Sequence, residues 1–412
     1  MEGPAVTRAG TEEWRRDQAA RLLAFGRRSE LPDGGFGWLT EQGVVDLSRP
    51  RPLYIAARMT YAYSLAYLDT GDEVARRLAT SGLSSLSDRY ADREHGGWYA
   101  SLDRDGRISD PTKANYAHAH VLLASATALA AGIPTAADVL EQATAVIDER
   151  FWSDEEGSAV ESWDAAFTTL DPYRGANSNM HSIEAYLVAG DVTNDAAWHA
   201  RALAVASRLI DVNARAHDWR IPEHYDATWH PLLDYNRDHL DDQFRPFGWT
   251  PGHSFEWARL LIALEATLTD PPDWLLDAAI GLFGAAVTAA WAPDSHPGFV
   301  YTLDFGDHPV VAERLHWVIC EAVLAADSLH RRTGEERYGR YVEQWWQHVA
   351  DHFLDPINGG WWQELAPTLT PSTTIWSGKP DVYHSYQALL FPSLPIAPCA
   401  AVTLARRSDE SR

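Results

Sequence analysis

The chain has 412 residues, 58 acidic and 34 basic, and its net charge of −24 argues against a nucleic-acid binder, which needs clustered Lys and Arg, and against an anionic membrane surface. With 46% apolar and 22% charged residues it can bury a full core, which excludes a disordered protein. The 18 tryptophans exceed ordinary usage, and Trp is costly unless it fills a large core or lines a site for flat ligands.

Cys320 and Cys399 stand far apart and outside any CxxC pattern, which fits a reducing compartment better than a disulfide framework or a Cys-based zinc site. No apolar signal run opens the sequence, and the Ala-rich stretch from Val121 to Ile133 is too short to span a bilayer. A soluble cytoplasmic protein is expected.

Length alone suggests two or three domains, but the elements repeat. A Gly- and aromatic-rich turn at Asp33-Gly-Gly-Phe-Gly-Trp38 precedes an apolar helical pattern from Arg58 to Leu68. The turn recurs at His95-Gly-Gly-Trp-Tyr99, before a helix predicted over Ala117 to Ala131, and at Ser153 to Gly157, before one over Ser182 to Ala189. An amphipathic helix over Ala196 to Leu209 leads to a degenerate turn at His217-Asp-Trp219 and to an apolar helix over Ser254 to Leu268. His296-Pro-Gly-Phe299 precedes Leu315 to Leu329, and the amphipathic Tyr338 to Phe353 precedes the turn Asn358-Gly-Gly-Trp-Trp362. Each period thus holds one helix apolar all round and one with a solvated face. Taking Arg58, His118, His181, His253, His316 and His384 as markers gives spacings of 60, 63, 72, 63 and 68. Six such pairs describe a closed all-α toroid, an (α/α)6 barrel, in which the starts of the inner helices converge on one axial pocket. No linker divides the chain, so one domain over residues 1–412 is expected, with its core at about 15–395.

His181-Ser-Ile-Glu184 and His253-Ser-Phe-Glu256 share a spacing, with His384-Ser-Tyr-Gln387 as a variant. Residues three apart share a helix face, so each imidazole is expected to be oriented by its own acid or amide, and each can exchange protons near neutral pH. Facing His and Glu can also ligate iron or zinc, but no HExxH run accompanies them, so no metal is expected. Arg58, alone in an apolar helix, needs an anionic or carbonyl partner and could hold an oxygen that becomes negative. Arg245, in a Pro/Gly-bent approach to His253, could reach the same pocket or cap a helix. The segment Asn177 to His181 offers polar groups ahead of its helix, with Ser178 or Asn179 as caps. Trp317, Trp361, Trp362 and Trp376 are expected near the pocket mouth. Two acidic pairs, Glu161 with Asp164 and Asp241 with Asp242, could serve an inverting glycosidase, although such loop acids are ordinarily just solvated. Nothing matches a P-loop, a GxSxG elbow or a Rossmann fingerprint.

The segments Arg58-Met-Thr-Tyr-Ala-Tyr-Ser-Leu65, Asn177-Ser-Asn-Met-His-Ser-Ile-Glu-Ala-Tyr186, Thr250-Pro-Gly-His-Ser-Phe-Glu-Trp-Ala-Arg-Leu260 and Lys379-Pro-Asp-Val-Tyr-His-Ser-Tyr-Gln387 resemble the N-acylglucosamine 2-epimerase superfamily. The likeness runs from about residue 15 to 395 and is nearest to the aldose–ketose isomerase branch, with its mannose and sulfoquinovose isomerases. It implies an (α/α)6 barrel acting on a monosaccharide without metal or organic cofactor. It also implies two catalytic histidines, His253 and His384, with Arg58, Tyr116, Asn177, His181, Arg245, Glu256 and Trp317 contacting sugar. Aldose–ketose interconversion removes a proton from C2 and returns one to C1, so a close base and a stabilised enediolate oxygen are required. His384 is expected to move the carbon proton and His253 the oxygen protons, with Glu256 fixing the His253 tautomer and Arg58 holding the oxyanion. The expected reaction is D-mannose to D-fructose, with D-lyxose as a further substrate. Alternatives are a sulfoquinovose isomerase or a 2-epimerase of the same fold, an inverting glycosidase, and more distantly a sugar-binding toroid without activity.

Overall fold

The computed structural model describes residues 8–240 and 242–410. Its helices are α1 (Glu12–Gly26), α2 (Leu53–Thr70), α3 (Glu73–Ser85), α4 (Asn115–Ala130), α5 (Ala136–Val146), α6 (Ala176–Thr193), α7 (Ala196–Ala206), α8 (Pro251–Thr267), α9 (Trp274–Ala290), α10 (His316–Thr333), α11 (Glu336–His352), α12 (Tyr383–Leu390) and α13 (Ala400–Glu410). Among the described residues no helix is long and apolar enough to cross a membrane.

The six even-numbered helices α2 to α12 form the inner ring, each packed on the next, and α12 closes on α2. The odd-numbered helices α3 to α11 back them from outside, and α1, first in the chain, backs α12. This is the expected (α/α)6 barrel. Inner helices face protein on every side, which explains sequences apolar all round: α2 buries 14 of its 18 residues. The outer helices keep a wet face. Local signals set their ends. Thr11, Asp72 and Asp195 accept the N–H two or three residues on and cap α1, α3 and α7, and left-handed Gly71 and Gly334 end α2 and α10. α2 and α6 begin five and six residues earlier than the sequence pattern suggests. Asn177 to Asn179 therefore lie inside the first turn of α6, and Gly175, not Ser178 or Asn179, is its N-cap.

The turns form a rim around one end of the barrel. A two-residue strand runs into four of the inner helices and pairs antiparallel with a strand of the following unit: Arg51 with Leu102, Lys113 with Trp163, Arg174 with Tyr225 and Arg314 with Leu365. Trp249 and Leu303 make the equivalent bridge before α8. At the same rim position a buried cation clamps the acid of the preceding turn: Arg51 on Asp33, Lys113 on Asp92, Arg174 on Glu156 and Arg314 on Asp294, at 2.6–2.9 Å. Lys379, ahead of α12, does the same to Asp355 at 2.6 Å. Among the described residues the fourth unit has no such cation. Its chain bends at Gly248, where φ is +92° and a Cβ would lie 2.1 Å from the Leu303 carbonyl oxygen. The indole of Trp249 donates there to the Asp304 carbonyl at 3.0 Å.

Most tryptophans turn out to be packing. Trp14 and Trp346 meet edge to face where α1 closes the ring, Trp345 stacks on Tyr341, and Trp98 donates from its turn to the Leu86 carbonyl. Trp361 and Trp362 belong to the last rim turn, Trp361 buried and Trp362 beneath the Lys379 ammonium, so neither reaches the pocket as expected.

Candidate active site

The starts of the inner helices converge on an axial cavity of about 60 Å3. Eight of the nine expected residues line it: Arg58, Tyr116, Asn177, His181, His253, Glu256, Trp317 and His384. Arg245 does not. The chain there presents Phe244 to the cavity and turns Arg245 away into a vestibule of about 500 Å3, over the Tyr173 ring and beside Asp171 at 3.4 Å and Glu161 at 3.9 Å. Tyr116, Asn177, Gln243 and Phe244 are common walls of the two spaces. A further, mostly apolar cavity of about 90 Å3 at the opposite barrel end is lined by none of the described histidines.

Both expected catalytic histidines have a carboxylate at Nδ1: His253 with Glu223 at 2.9 Å and His384 with Glu321 at 2.9 Å. A carboxylate accepting from Nδ1–H fixes the tautomer and leaves Nε2 with a free lone pair. Neither carboxylate is the one three residues along. Glu256 lies instead 3.7 Å from both His181 Nδ1 and Arg259 Nη2, and Gln387 donates to Glu184. His181 and Glu184 are 3.9 Å apart, beyond a hydrogen bond. Ring closure, by setting different elements side by side, supplies each histidine with a partner from another part of the chain. Trp317 packs near both imidazoles, 5.3 Å from His253 and 5.7 Å from His384, centroid to centroid.

Burial holds His384 well below the usual histidine range, reinforced by the Arg58 charge, so this imidazole is neutral at pH 7. Burial likewise lowers His181 to about 4. Arg58 donates to Tyr116 Oη at 2.8 Å and to His120 Nε2 at 3.0 Å, lies 3.5 Å from Asp381, and has the Tyr383 ring 4.6 Å from its guanidinium. His120 accepts because its Nδ1–H is spent on the Tyr116 carbonyl. His118, the repeat marker on the same helix, faces outward and accepts the Trp98 backbone N–H.

Beneath the cavity, Arg259 holds the carboxylates together. Its Nε donates to Glu321 at 2.9 Å, and its Nη2 lies 3.6 Å from Glu184 and 3.7 Å from Glu256. Burial alone would raise Glu184, but His181, the Arg259 charge and the Tyr383 hydroxyl hold it down at about 2. Two trios, His181–Glu184–Glu256 and Glu256–Glu321–His384, bring their ligand atoms within 4.8 Å as a metal site would. The Arg259 guanidinium already lies among these carboxylates, so a divalent cation would have to compete with a fixed positive charge.

The acidic pairs do not form a glycosidase site. Glu161 is half-buried in the vestibule wall and accepts from Ser178 at 2.6 Å, whereas exposed Asp164 caps Thr168. Asp242 caps Phe244 and Arg245, and Asp241 lies outside the described residues.

Glu223, Glu321, Arg259, His120, Asp381, Gln243, Tyr301 and Gln363 were not expected at the site, whereas His316, a marker of the repeat, lines the cavity. Arg259 and Glu321 carried a signal related to that of Arg58, a buried charge set in an apolar stretch of helix. Glu223, Tyr301 and Gln363 carried another: each stands two residues before the rim partner of the preceding unit, as do Ala100 and Glu161.

Residues 34–388 match the family described as N-acylglucosamine 2-epimerase (GlcNAc 2-epimerase), and the chain belongs to that family. Within it the chain is 47% identical over 401 residues to a D-mannose isomerase of Thermobifida fusca, covering 97% of this chain and 98% of that one. It is 44% identical over 397 residues to a D-mannose isomerase of Pseudomonas cannabina pv. alisalensis, covering 95% of each. The fold superposes on a crystal structure of a D-mannose isomerase with a TM-score of 0.87 at 27% identity, covering 95% of this chain and 99% of that one.

Proposed function

We propose that this chain is an aldose–ketose isomerase interconverting D-mannose and D-fructose, with His253 and His384 as its catalytic residues. The observation that carries the site assignment is the pair of buried imidazoles on one cavity wall, each with Nδ1 held by a carboxylate and each near Trp317. The near full-length likeness to two D-mannose isomerases supports the choice of sugar.

His253 Nε2 takes the anomeric hydroxyl proton and passes it to the ring oxygen, which opens the sugar to the free aldehyde. Neutral His384 takes the proton from C2 and returns it to C1, while the O2 hydroxyl proton moves to O1. The aldehyde carbon becomes CH2OH and C2 becomes the carbonyl, with no electrons exchanged with the protein. One base serving one face gives a cis-enediolate and isomerisation. The Arg58 guanidinium lies on the cavity wall, where it can hold the enediolate oxygen. Tyr116, Asn177, His181, Glu256 and Trp317 bind the sugar; Arg245 reaches it only through the vestibule. No metal or organic cofactor takes part in these steps.

Arg58 is the only Lys or Arg among the described residues lining the cavity, and it is engaged by His120, Tyr116 and Asp381. That favours a neutral sugar over a sulfonated one. The catalytic unit spans about residues 15–395, since α1 must back α12 to complete the ring. The unpaired thiols of Cys320 and Cys399 suit the cytoplasm. The test is His253→Asn and His384→Asn: each abolishes turnover with an unchanged circular dichroism spectrum, and EDTA leaves the wild type active. Full activity in either variant refutes the assignment.

A further inference from the structure

Glu256 is 1% exposed, lines the cavity, and among the described residues has no hydrogen-bond partner at either carboxylate oxygen. Its neighbours are better served. Glu184 accepts from the Tyr383 hydroxyl and from Gln387 at 2.8 Å, and Glu321 accepts from Arg259 and His384 at 2.9 Å each. The ionisable groups that face Glu256 are Arg58 of α2, Tyr116 of α4, His181 and Glu184 of α6, Arg259 of its own helix, Glu321 of α10, and Tyr383 and His384 of α12. Arg58 has its own acid, Asp381. Among the described residues Arg259 is therefore the one cation available to three buried carboxyls, and burial keeps His181 and His384 neutral. Ionising all three would leave two uncompensated charges in a dry site, at a cost far above that of binding one proton. The proton belongs on the carboxyl whose anion no donor stabilises. Burial and the nearby Glu321 push Glu256 the same way, well above the ordinary carboxylate range.

We propose that Glu256 is a neutral carboxylic acid that keeps its proton through the reaction and donates it as a hydrogen bond to a sugar oxygen in the cavity. The inference rests on the isomerase reading. It makes Glu256 a donor where a carboxylate could only accept, and so selects a sugar oxygen with a free lone pair. Glu256→Gln, which keeps an N–H donor and no charge, is expected to lower kcat/KM about threefold. Glu256→Ala, which leaves the sugar oxygen unpaired, is expected to lower it on the order of 10–100-fold. Wild-type kcat/KM falls on the alkaline side as the acid ionises, and that fall is absent from Glu256→Gln. Infrared difference spectra at neutral pH show a protonated carboxyl band in the wild type that Glu256→Gln lacks. A Gln variant as impaired as the Ala variant, an alkaline fall shared by wild type and Gln variant, or a missing band overturns the proposal. Wild-type protein that converts no sugar refutes the isomerase reading instead, and the infrared band still decides the protonation.

Discussion

The Glu321–His384 contact lends itself to a sharp perturbation, Glu321→Gln. The carboxylate accepts from Nδ1–H at 2.9 Å and so keeps Nε2 free to take a carbon proton. An amide of the same shape can turn its NH2 towards Nδ1, which places the ring proton on Nε2 and leaves an imidazole that cannot act as the base. Removing an orienting partner costs about 10–100-fold, and inverting the tautomer of a catalytic base costs up to about 104-fold. A fall in kcat of about 102–104 is therefore expected, equivalent to about 2.7–5.5 kcal/mol of barrier. KM should change less than threefold, because Glu321 does not line the cavity. The variant also takes a charged partner from Arg259, which keeps Glu184 at 3.6 Å, so the protein should fold with reduced stability. Steady-state kinetics with product quantification, alongside thermal unfolding, reads both effects. A variant with kcat within threefold of wild type would refute the claim that this carboxylate sets the His384 tautomer.

Arg58→Lys keeps the charge but loses the planar fork that reaches Tyr116 and His120 together, and kcat should fall about 102–103-fold; a change below threefold contradicts the oxyanion role. Lys113→Met leaves Asp92 buried without its ammonium, and chemical denaturation should read about 3–5 kcal/mol lost, whereas a loss under 1 kcal/mol would mean that the rim clamps do not hold the turns. His181 and His316, both held at about 4 by burial, fold in the neutral form. As pH falls from about 6.5 towards 4 the unfolded chain binds protons that the folded chain does not. Stability should therefore drop by up to about 1.4 kcal/mol per pH unit for each group and be unaffected by them above that window. Urea midpoints that stay level between pH 7 and 5 would contradict this.

The architecture is legible in the chain because two local signals repeat together, the Gly–aromatic turn and the helix apolar on every side. The chemistry is legible where a polar residue stands out against that apolar background, as Arg58, His253 and His384 do. What the linear pattern hides is partnership. Glu223 reaches His253 because the strand His224–Tyr225 pairs with Arg174–Gly175, about fifty residues earlier in the chain. Helical spacing pointed to Glu256 for that role, but a residue one turn along its own helix is no better placed than one brought in by a neighbouring element. Arg245 shows the complementary failure. Its neighbour Phe244 packs edge to face on Tyr54, Tyr116 and Trp376, which takes the inward direction and sends the guanidinium to Tyr173. The tryptophan excess divides the same way: Trp317 and Trp376 line the cavity, with Trp38 stacked on Trp376, while most of the rest fill the double ring of helices.

The most direct measurement of the central claim is incubation of the purified protein with D-mannose, without added metal, followed by chromatographic identification of the product. The account predicts D-fructose as the main product, with D-lyxose converted in a parallel incubation. D-glucose as the main product, or D-mannose recovered unchanged, would contradict it.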